Sequence, residues 1–255
     1  MSPARRLLMI SLTGAAALLL VVGLGVHLWG GPAPAAAVAQ DRPGTVVLVP
    51  GYGGSTSALE VLADRLRGAG RQAVVVQLPG DGTDDLRSYV PVLDAAVKAV
   101  LGGGAPSVDV IGYSAGGIVA RLWEAGGGTA VTRRVVTLGS PHHGTNVAGT
   151  GSRLLPIACP QACRQLIPGS ELLDGLNRGD ETPTGPQWLS LWTSTDQTVT
   201  PPDSARLTGA VNLQLQDLCP GVTTSHSLLP RDPHVEGIVL AALGAGPLAA
   251  PTTCP

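Results

Sequence analysis

From Thr45 onward the chain alternates short β-branched runs with stretches whose apolar residues recur at helical spacing, and this alternation restricts its fold more than any other feature. Thr45-Val46-Val47-Leu48-Val49 is apolar at successive positions, as expected of a strand buried on both faces. Residues 57–67 then place Leu59, Leu62, Ala63 and Leu66 on one helical face, closed by Gly68 and Gly70. Further strands are predicted at 73–76, 107–111, 134–138, 188–193 and 211–216. Helices are predicted at 84–101, where Pro91 marks a kink or a late start, at 115–124 and at 233–243. Such alternation predicts an α/β architecture, a mostly parallel central sheet with helices on both faces. It lapses over 146–186, a stretch rich in Gly and Pro that holds two of the cysteines, where the one expected helix is 170–177.

The 255 residues are enough for one domain with a substantial core. A hydrophobic share of 44% against 13% charged residues excludes a disordered chain or a coiled coil. The net charge of −2 offers no electrostatic footprint for nucleic acid, so no nucleic-acid partner is expected. At the N-terminus Arg5 and Arg6 precede an uncharged stretch, 7–28, and small residues follow around Ala35-Ala36-Ala37-Val38-Ala39. Those are the parts of an export signal with its cleavage site. The apolar stretch also reaches the ~20 residues that span a bilayer, so an uncleaved anchor attaching the protein to the membrane is the competing reading. Either way the remainder is expected to be secreted or to work outside the cytoplasm. Residues 1–39 are read as signal peptide or signal anchor, 40–44 as linker, and 45–255 as the folded domain.

Gly112-Tyr113-Ser114-Ala115-Gly116 fits the pattern G-x-S-x-G. In a chain with 35 glycines the match alone is weak, but its setting is not. It follows the predicted strand Val108-Asp109-Val110-Ile111 directly and precedes a helix directly, which is the strand–turn–helix context of a nucleophile elbow. The bland alternative is a Gly-rich turn with an incidental serine. After the first strand comes Pro50-Gly51-Tyr52-Gly53-Gly54-Ser55, a loop able to turn backbone N–H groups toward that serine. The N–H groups of Tyr52 and Ala115 are the candidate oxyanion donors. A tight strand-to-helix connection would use glycine equally well.

A serine nucleophile needs a base held at the carboxyl edge of the sheet, and in this elbow setting the chain order is Ser, acid, His. His226 and His234 follow the candidate acids. His226 stands in the polar loop between the last strand and the last helix, whereas His234 falls in the first turn of that helix. His142 and His143 lie close after a strand end, where adjacent histidines more often pack or hydrogen-bond. Asp196 heads the turn after the strand at 188–193 and is the candidate acid. Asp174, Asp180, Asp203 and Asp217 are its rivals, with Asp203 reading as a helix cap. Asp109, inside a strand, reads as structural.

Val-Pro-Gly-Tyr-Gly-Gly at 49–54, Gly-Tyr-Ser-Ala-Gly-Gly at 112–117 and Val-Val-Thr-Leu-Gly-Ser-Pro-His-His-Gly-Thr at 135–145 together resemble the small bacterial lipase/esterase branch of the α/β-hydrolase fold. The stretches around Asp196 and Ser225-His226-Ser227 are similar too, and the likeness spans roughly 45–243. It implies a single α/β-hydrolase catalytic domain, with Ser114, Asp196 and His226 as triad and Tyr52 and Ala115 as oxyanion donors. It also implies carboxylic ester substrates, acylglycerols or other small or lipid esters, and no organic cofactor. The chain departs from many relatives in having Pro50-Gly51 where they have His-Gly. An acyltransferase acting on cell-envelope esters would use the same residues. A tethered, non-catalytic binding module is the alternative of a different class.

The long segment 146–186 is expected to border or cover the site, with Leu154, Leu155, Ile157 and Leu166 contributing apolar surface to the acyl path. Cys159, Cys163, Cys219 and Cys254 are an even set in an exported chain and allow three pairings. The expected one is Cys159–Cys163, closing a short loop, with Cys219–Cys254 tying the tail to the segment that leads into His226. Paired Cys-x-x-Cys spacing is missing, so no metal site is expected.

Overall fold

The computed structural model describes residues 38–154 and 159–255, with the backbone alone over 152–154. The expected signal or anchor, including 7–28, therefore lies outside the described residues, apart from its last two positions. Among the described residues no helix is long and apolar enough to cross a membrane.

Six strands form one sheet in the order β2-β1-β3-β4-β5-β6, every neighbouring pair parallel. They are β1 (Thr45–Val49), β2 (Ala73–Val75), β3 (Val108–Tyr113), β4 (Thr132–Leu138), β5 (Gln187–Trp192) and β6 (Val211–Gln214). Strand alternation splits the apolar run of β1 between two cores. Val46 and Leu48 join Leu59 and Leu62 of α1 (Ser57–Gly68) and Ile238 and Val239 of α8 (Pro233–Ala242). Val47 and Val49 face the other way, against Leu93 and Val97 of α2 (Val90–Gly102) and Ile118 and Val119 of α3 (Ala115–Ala125). The continuous hydrophobicity of these strands thus follows from burial on both faces.

Sequence periodicity misplaces three details. The stretch 84–101 divides into a 3₁₀ turn, Leu86–Tyr89, and α2, because Pro91 has no N–H to donate and suits a first turn. Strand β6 stops at Gln214, and 215–218 turn into a short helix, α7 (Leu215–Leu218). Among its described residues the segment 146–186 holds three helices rather than one: α4 (Asn146–Leu154), α5 (Gln161–Gln165) and α6 (Glu171–Asn177). Gly149 and Gly151 mask α4 to propensity, and α5 is too short to show a period.

The amino edge of the sheet is held by a buried cluster of charge. Asp109 of β3, fully buried, takes two hydrogen bonds from Arg133 at 2.9 and 2.7 Å and one from Arg71 at 2.6 Å. The same guanidiniums donate to the carbonyls of Leu243 and Gly244, and Arg134 to those of Ala242 and Gly246. Two cations share one carboxylate here while Arg134 bonds to carbonyls alone, and most of the other acceptors are carbonyls at and just beyond the carboxyl end of α8. The reading of Asp109 as structural fits this arrangement.

Glu124 in the last turn of α3 is also buried, and neither carboxylate oxygen has a partner among the described residues. Burial pushes its pKa up to about 8, so it is protonated in the folded chain at neutral pH. In the unfolded chain it ionises at its ordinary value of 4.5. The native state therefore binds one proton more between those values, and stability falls as pH rises from 4.5 to about 8. Urea midpoints measured across that range should show this decline in the wild type and a clearly shallower one in Glu124→Gln. An unchanged slope would contradict the assignment.

Candidate functional site

The strand order reverses between β1 and β3, and in an open parallel sheet the crevice beyond the carboxyl ends of the strands at such a point is where ligands bind. Both chain segments that leave this point carry candidate site residues. Beyond β3, Ser114 has φ 53° and ψ −126°, the one non-glycine residue with positive φ among those described. Its N–H donates to the Leu138 carbonyl at 2.9 Å, prolonging the β3–β4 pairing, and its carbonyl accepts from Gly117 at 3.0 Å to start α3. The turn is this sharp because backbones touch. A Cβ on Gly112 would run into Gly117, and one on Gly116 into the carbonyls of Val49 and Pro50. The two glycines of the motif are thus required by close approach, and the serine between them carries the strain.

Ser114 Oγ lies 3.0 Å from Nε2 of His226, and Nδ1 of His226 lies 2.6 Å from Oδ2 of Asp196. The donor sense is Ser114 O–H to Nε2 and Nδ1–H to the carboxylate, which holds the imidazole in the tautomer that can accept the serine proton. Asp196 is itself fixed, its Oδ1 accepting the backbone N–H groups of Thr198 and Val199, each at 2.8 Å. The loop entering His226 is bound to the loop of the acid: Thr193 and Thr195 both donate to the Thr224 carbonyl at 2.8 Å. His226 opens a 3₁₀ turn, His226–Arg231, with its imidazole 5.3 Å from the ring of Tyr113. The Tyr113 hydroxyl donates to the His226 carbonyl at 3.3 Å, and burial pushes that phenol up to about 12, so it remains a donor at any ordinary pH.

The glycine-rich loop after β1 folds over the same serine. A Cβ on Gly51 would approach Ser114 Cβ to 2.9 Å, so only glycine seats the loop at this distance. Gly53 donates to the Gly82 carbonyl at 3.1 Å and Gly54 to that of Gly51 at 3.0 Å. Between Gly51 and Gly53, Tyr52 N–H has no protein acceptor among the described residues, and neither has Ala115 N–H at the head of α3. Two unpaired donors thus flank Ser114.

The remaining candidates separate cleanly. His142 is wholly buried, its Nε2 3.1 Å from the Thr137 hydroxyl, and desolvation, with Arg121 and His143 nearby, holds its pKa well below the ordinary value. It is a neutral packing group. His143 pairs with Glu181 at 3.0 Å. Asp203 lies inside the short turn Pro202–Ala205, whose cap position is Pro201, so it is not the cap that sequence suggests. The side chain of Leu154 and the whole of Leu155 and Ile157 lie outside the described residues. Among the described residues the apolar cavity at Ser114 is bordered by Val147, Ala148, Leu166 and Val199, of which Leu166 was expected. Sequence reading missed Tyr113 and the Thr198–Val199 cradle. The first sat in the wildcard position of the motif, and the second consists of backbone groups.

Both expected disulfides are present, Cys159–Cys163 and Cys219–Cys254. The latter lies near His234, but its sulfurs are bonded to each other and offer no thiolate to a metal. By loop entropy the bridge of sequence separation 35 contributes ~4 kcal/mol and that of separation 4 ~2 kcal/mol. Replacing Cys219 and Cys254 together by Ser should therefore lower urea stability more than replacing Cys159 and Cys163. The reverse order would show that strain or residual structure outweighs loop length.

Comparison with known proteins agrees with this architecture. A model of the alpha/beta hydrolase family matches residues 46–250. No curated protein sequence matches the chain. Among solved structures, the mature form of a Bacillus licheniformis lipase is similar at 21% identity over 84% of this chain and 95% of its own, with a TM-score of 0.65. Aspergillus fumigatus lipase B is similar at 20% identity over 86% of this chain, which spans 56% of that larger one, with a TM-score of 0.69. A lipase-esterase related protein from Clostridium acetobutylicum is similar at 13% identity over 81% of this chain and 96% of its own, with a TM-score of 0.51. At these identities the likeness is one of fold.

Proposed function

Since the chain belongs to the alpha/beta hydrolase family, we propose that it is an extracytoplasmic serine ester hydrolase that cleaves carboxylic esters, acylglycerols among them, through an acyl-enzyme on Ser114. The observation that carries this reading is the continuous relay from Asp196 through His226 to Ser114, with distances of 2.6 and 3.0 Å, on a serine held at positive φ. A packing histidine needs no such alignment. Export is supported by the two disulfides and by the basic-then-apolar start of the chain.

In this reading Ser114 Oγ attacks the ester carbonyl carbon while its proton passes to His226 Nε2. The imidazolium is stabilised by Asp196, whose two backbone hydrogen bonds keep it aligned on Nδ1. Negative charge grows on the former carbonyl oxygen. The N–H groups of Tyr52 and Ala115 receive it, aided by the positive end of α3. Collapse breaks the ester C–O bond, and the alkoxide leaves as alcohol with the proton from His226. Water then attacks the acyl-serine by the same route, giving the carboxylic acid and restoring the serine.

Hydrolysis of tributyrin followed by acid release tests this directly. Ser114→Ala should lose activity by a factor on the order of 10⁶ while keeping its fold. His226→Ala and Asp196→Asn should cripple turnover, whereas His142→Ala in protein that remains folded and Asp203→Asn should retain most of it. A serine-directed fluorophosphonate should label wild type at Ser114 and leave Ser114→Ala unlabelled. Wild-type turnover in Ser114→Ala would remove the nucleophile assignment.

A further inference from the structure

The cavity beside Ser114 is small. Its volume is about 180 Å³, against roughly 300–1,000 Å³ for sites that enclose a drug-sized ligand. A methylene group takes about the space of a water molecule, ~30 Å³, so the cavity holds about six non-hydrogen atoms. Its lining is apolar, and a polar group at its border is already committed. The Thr145 hydroxyl donates to the Thr198 carbonyl at 2.7 Å and accepts from Thr200 N–H at 3.0 Å. What Thr145 can offer a ligand is its methyl group.

One wall comes from Ala148 of α4, and another from Cys163 and Leu166 at the end of α5. This second wall is fastened to the body of the domain. The Cys159–Cys163 disulfide closes the chain around the start of α5, and Arg164 donates to the Cys159 carbonyl at 2.8 Å. Ala162 N–H donates to the Thr83 carbonyl at 3.1 Å. Gln165, buried, accepts from Leu86 N–H at 2.8 Å and donates to Asp85 Oδ1 at 2.6 Å. Moving α5 outward would break the contacts to Thr83, Asp85 and Leu86 together, and would leave a buried amide and a buried N–H without partners.

We infer that α5 is a fixed end wall of an acyl pocket, so that the enzyme selects esters of short acyl chains, of about four to six carbons. The inference rests on the serine ester hydrolase reading above and specifies its substrate class. Each methylene that enters the cavity leaves water, and longer chains meet Leu166 and Cys163 and must either bend back into solvent or displace the wall.

The test is the chain-length profile of kcat/KM for the purified protein on monomeric p-nitrophenyl esters from acetate to palmitate. For the wild type we expect a rise of about fourfold per added methylene until the pocket is full. Beyond hexanoate the value should fall, by about tenfold or more at laurate. Leu166→Ala should move the optimum at least two carbons longer, and Ala148→Leu should move it toward acetate. Wild-type cleavage of laurate or palmitate as fast as butyrate would overturn the inference. So would an unmoved optimum in variants that fold. Should the buried Leu166→Ala variant fail to fold, the wild-type profile and Ala148→Leu decide the matter. A folded wild-type protein inert toward the whole series would overturn the ester hydrolase reading itself and this inference with it. Activity with the wrong profile overturns the inference alone.

Discussion

The contact on which the rest of the site depends is that between backbones where α3 passes beneath the ends of β1 and β3. Gly116 lies against the carbonyls of Val49 and Pro50, and Gly112 against Gly117, with no room for a Cβ on either. Once those segments touch, the connection from β3 to α3 must reverse within one residue, and Ser114 takes a backbone conformation that costs about 1–3 kcal/mol. Burial of Ile118 and Val119 of α3 in the core offsets that cost. The same geometry brings Ala115 N–H, the loop of Tyr52 and the positive end of α3 to one place. Strain, candidate nucleophile and candidate oxyanion donors are consequences of a single close approach.

The position of His226 is determined from the far end of the molecule. The 3₁₀ turn it opens runs directly into α8, capped by Asp232, whose Oδ1 accepts from His234 and Val235 and whose Oδ2 accepts from the Thr224 hydroxyl. At its other end α8 is gripped by Arg71, Arg133 and Arg134 through the carbonyls of residues 242–246. Asp109 holds two of those guanidiniums from within β3, the strand that ends at Ser114. The serine and its proposed base are therefore referred to the same strand, one through its carboxyl end and the other through the ion cluster at its amino end. Gly139 completes the fit, since a Cβ there would reach to within 3.1 Å of His226 Nδ1.

The fold was legible in the sequence because buried parallel strands are continuously apolar and this chain separates them with glycine. Ser114 and the glycine loop after β1 were legible for the same reason, being defined by local spacing. His226 and Asp196 could be selected by chain order and strand-end position, which are one-dimensional properties. What escaped was of two kinds. Helices α4 and α5 carry glycine or are too short for a period to show, and packing against the domain rather than propensity makes them helical. The other kind joins residues far apart in the chain: Tyr113 on the His226 carbonyl, Gln165 on Leu86, Arg133 on Leu243. Such contacts exist only once the sheet has assembled, and no local pattern encodes them.

The loop that follows β5 shows how closely the candidate acid and the proposed acyl cavity are tied. Asp196 is held by the N–H groups of Thr198 and Val199, and Thr198 and Val199 are also part of the cavity wall. Thr145, at the start of α4, binds that loop at the Thr198 carbonyl and the Thr200 N–H, and Asn146 N–H adds a bond to the Thr200 carbonyl at 2.8 Å. A shift of α4 large enough to widen the cavity would pull on Thr198 and Thr200, on either side of Val199, and so on the two N–H groups that hold the carboxylate. On the opposite wall α5 has no direct hydrogen bond into this loop among the described residues; it is anchored on 83–86, and its end meets Thr145, whose N–H donates to the Leu166 carbonyl at 2.9 Å. A change of side chain at Leu166 leaves its carbonyl bond to Thr145 in place and so alters cavity shape without disturbing Asp196, whereas a change of backbone at α4 would reach the relay. The two walls of one small cavity differ in that α4 reaches the loop of Asp196 directly, through Thr145 and Asn146, whereas α5 reaches it only by way of Thr145.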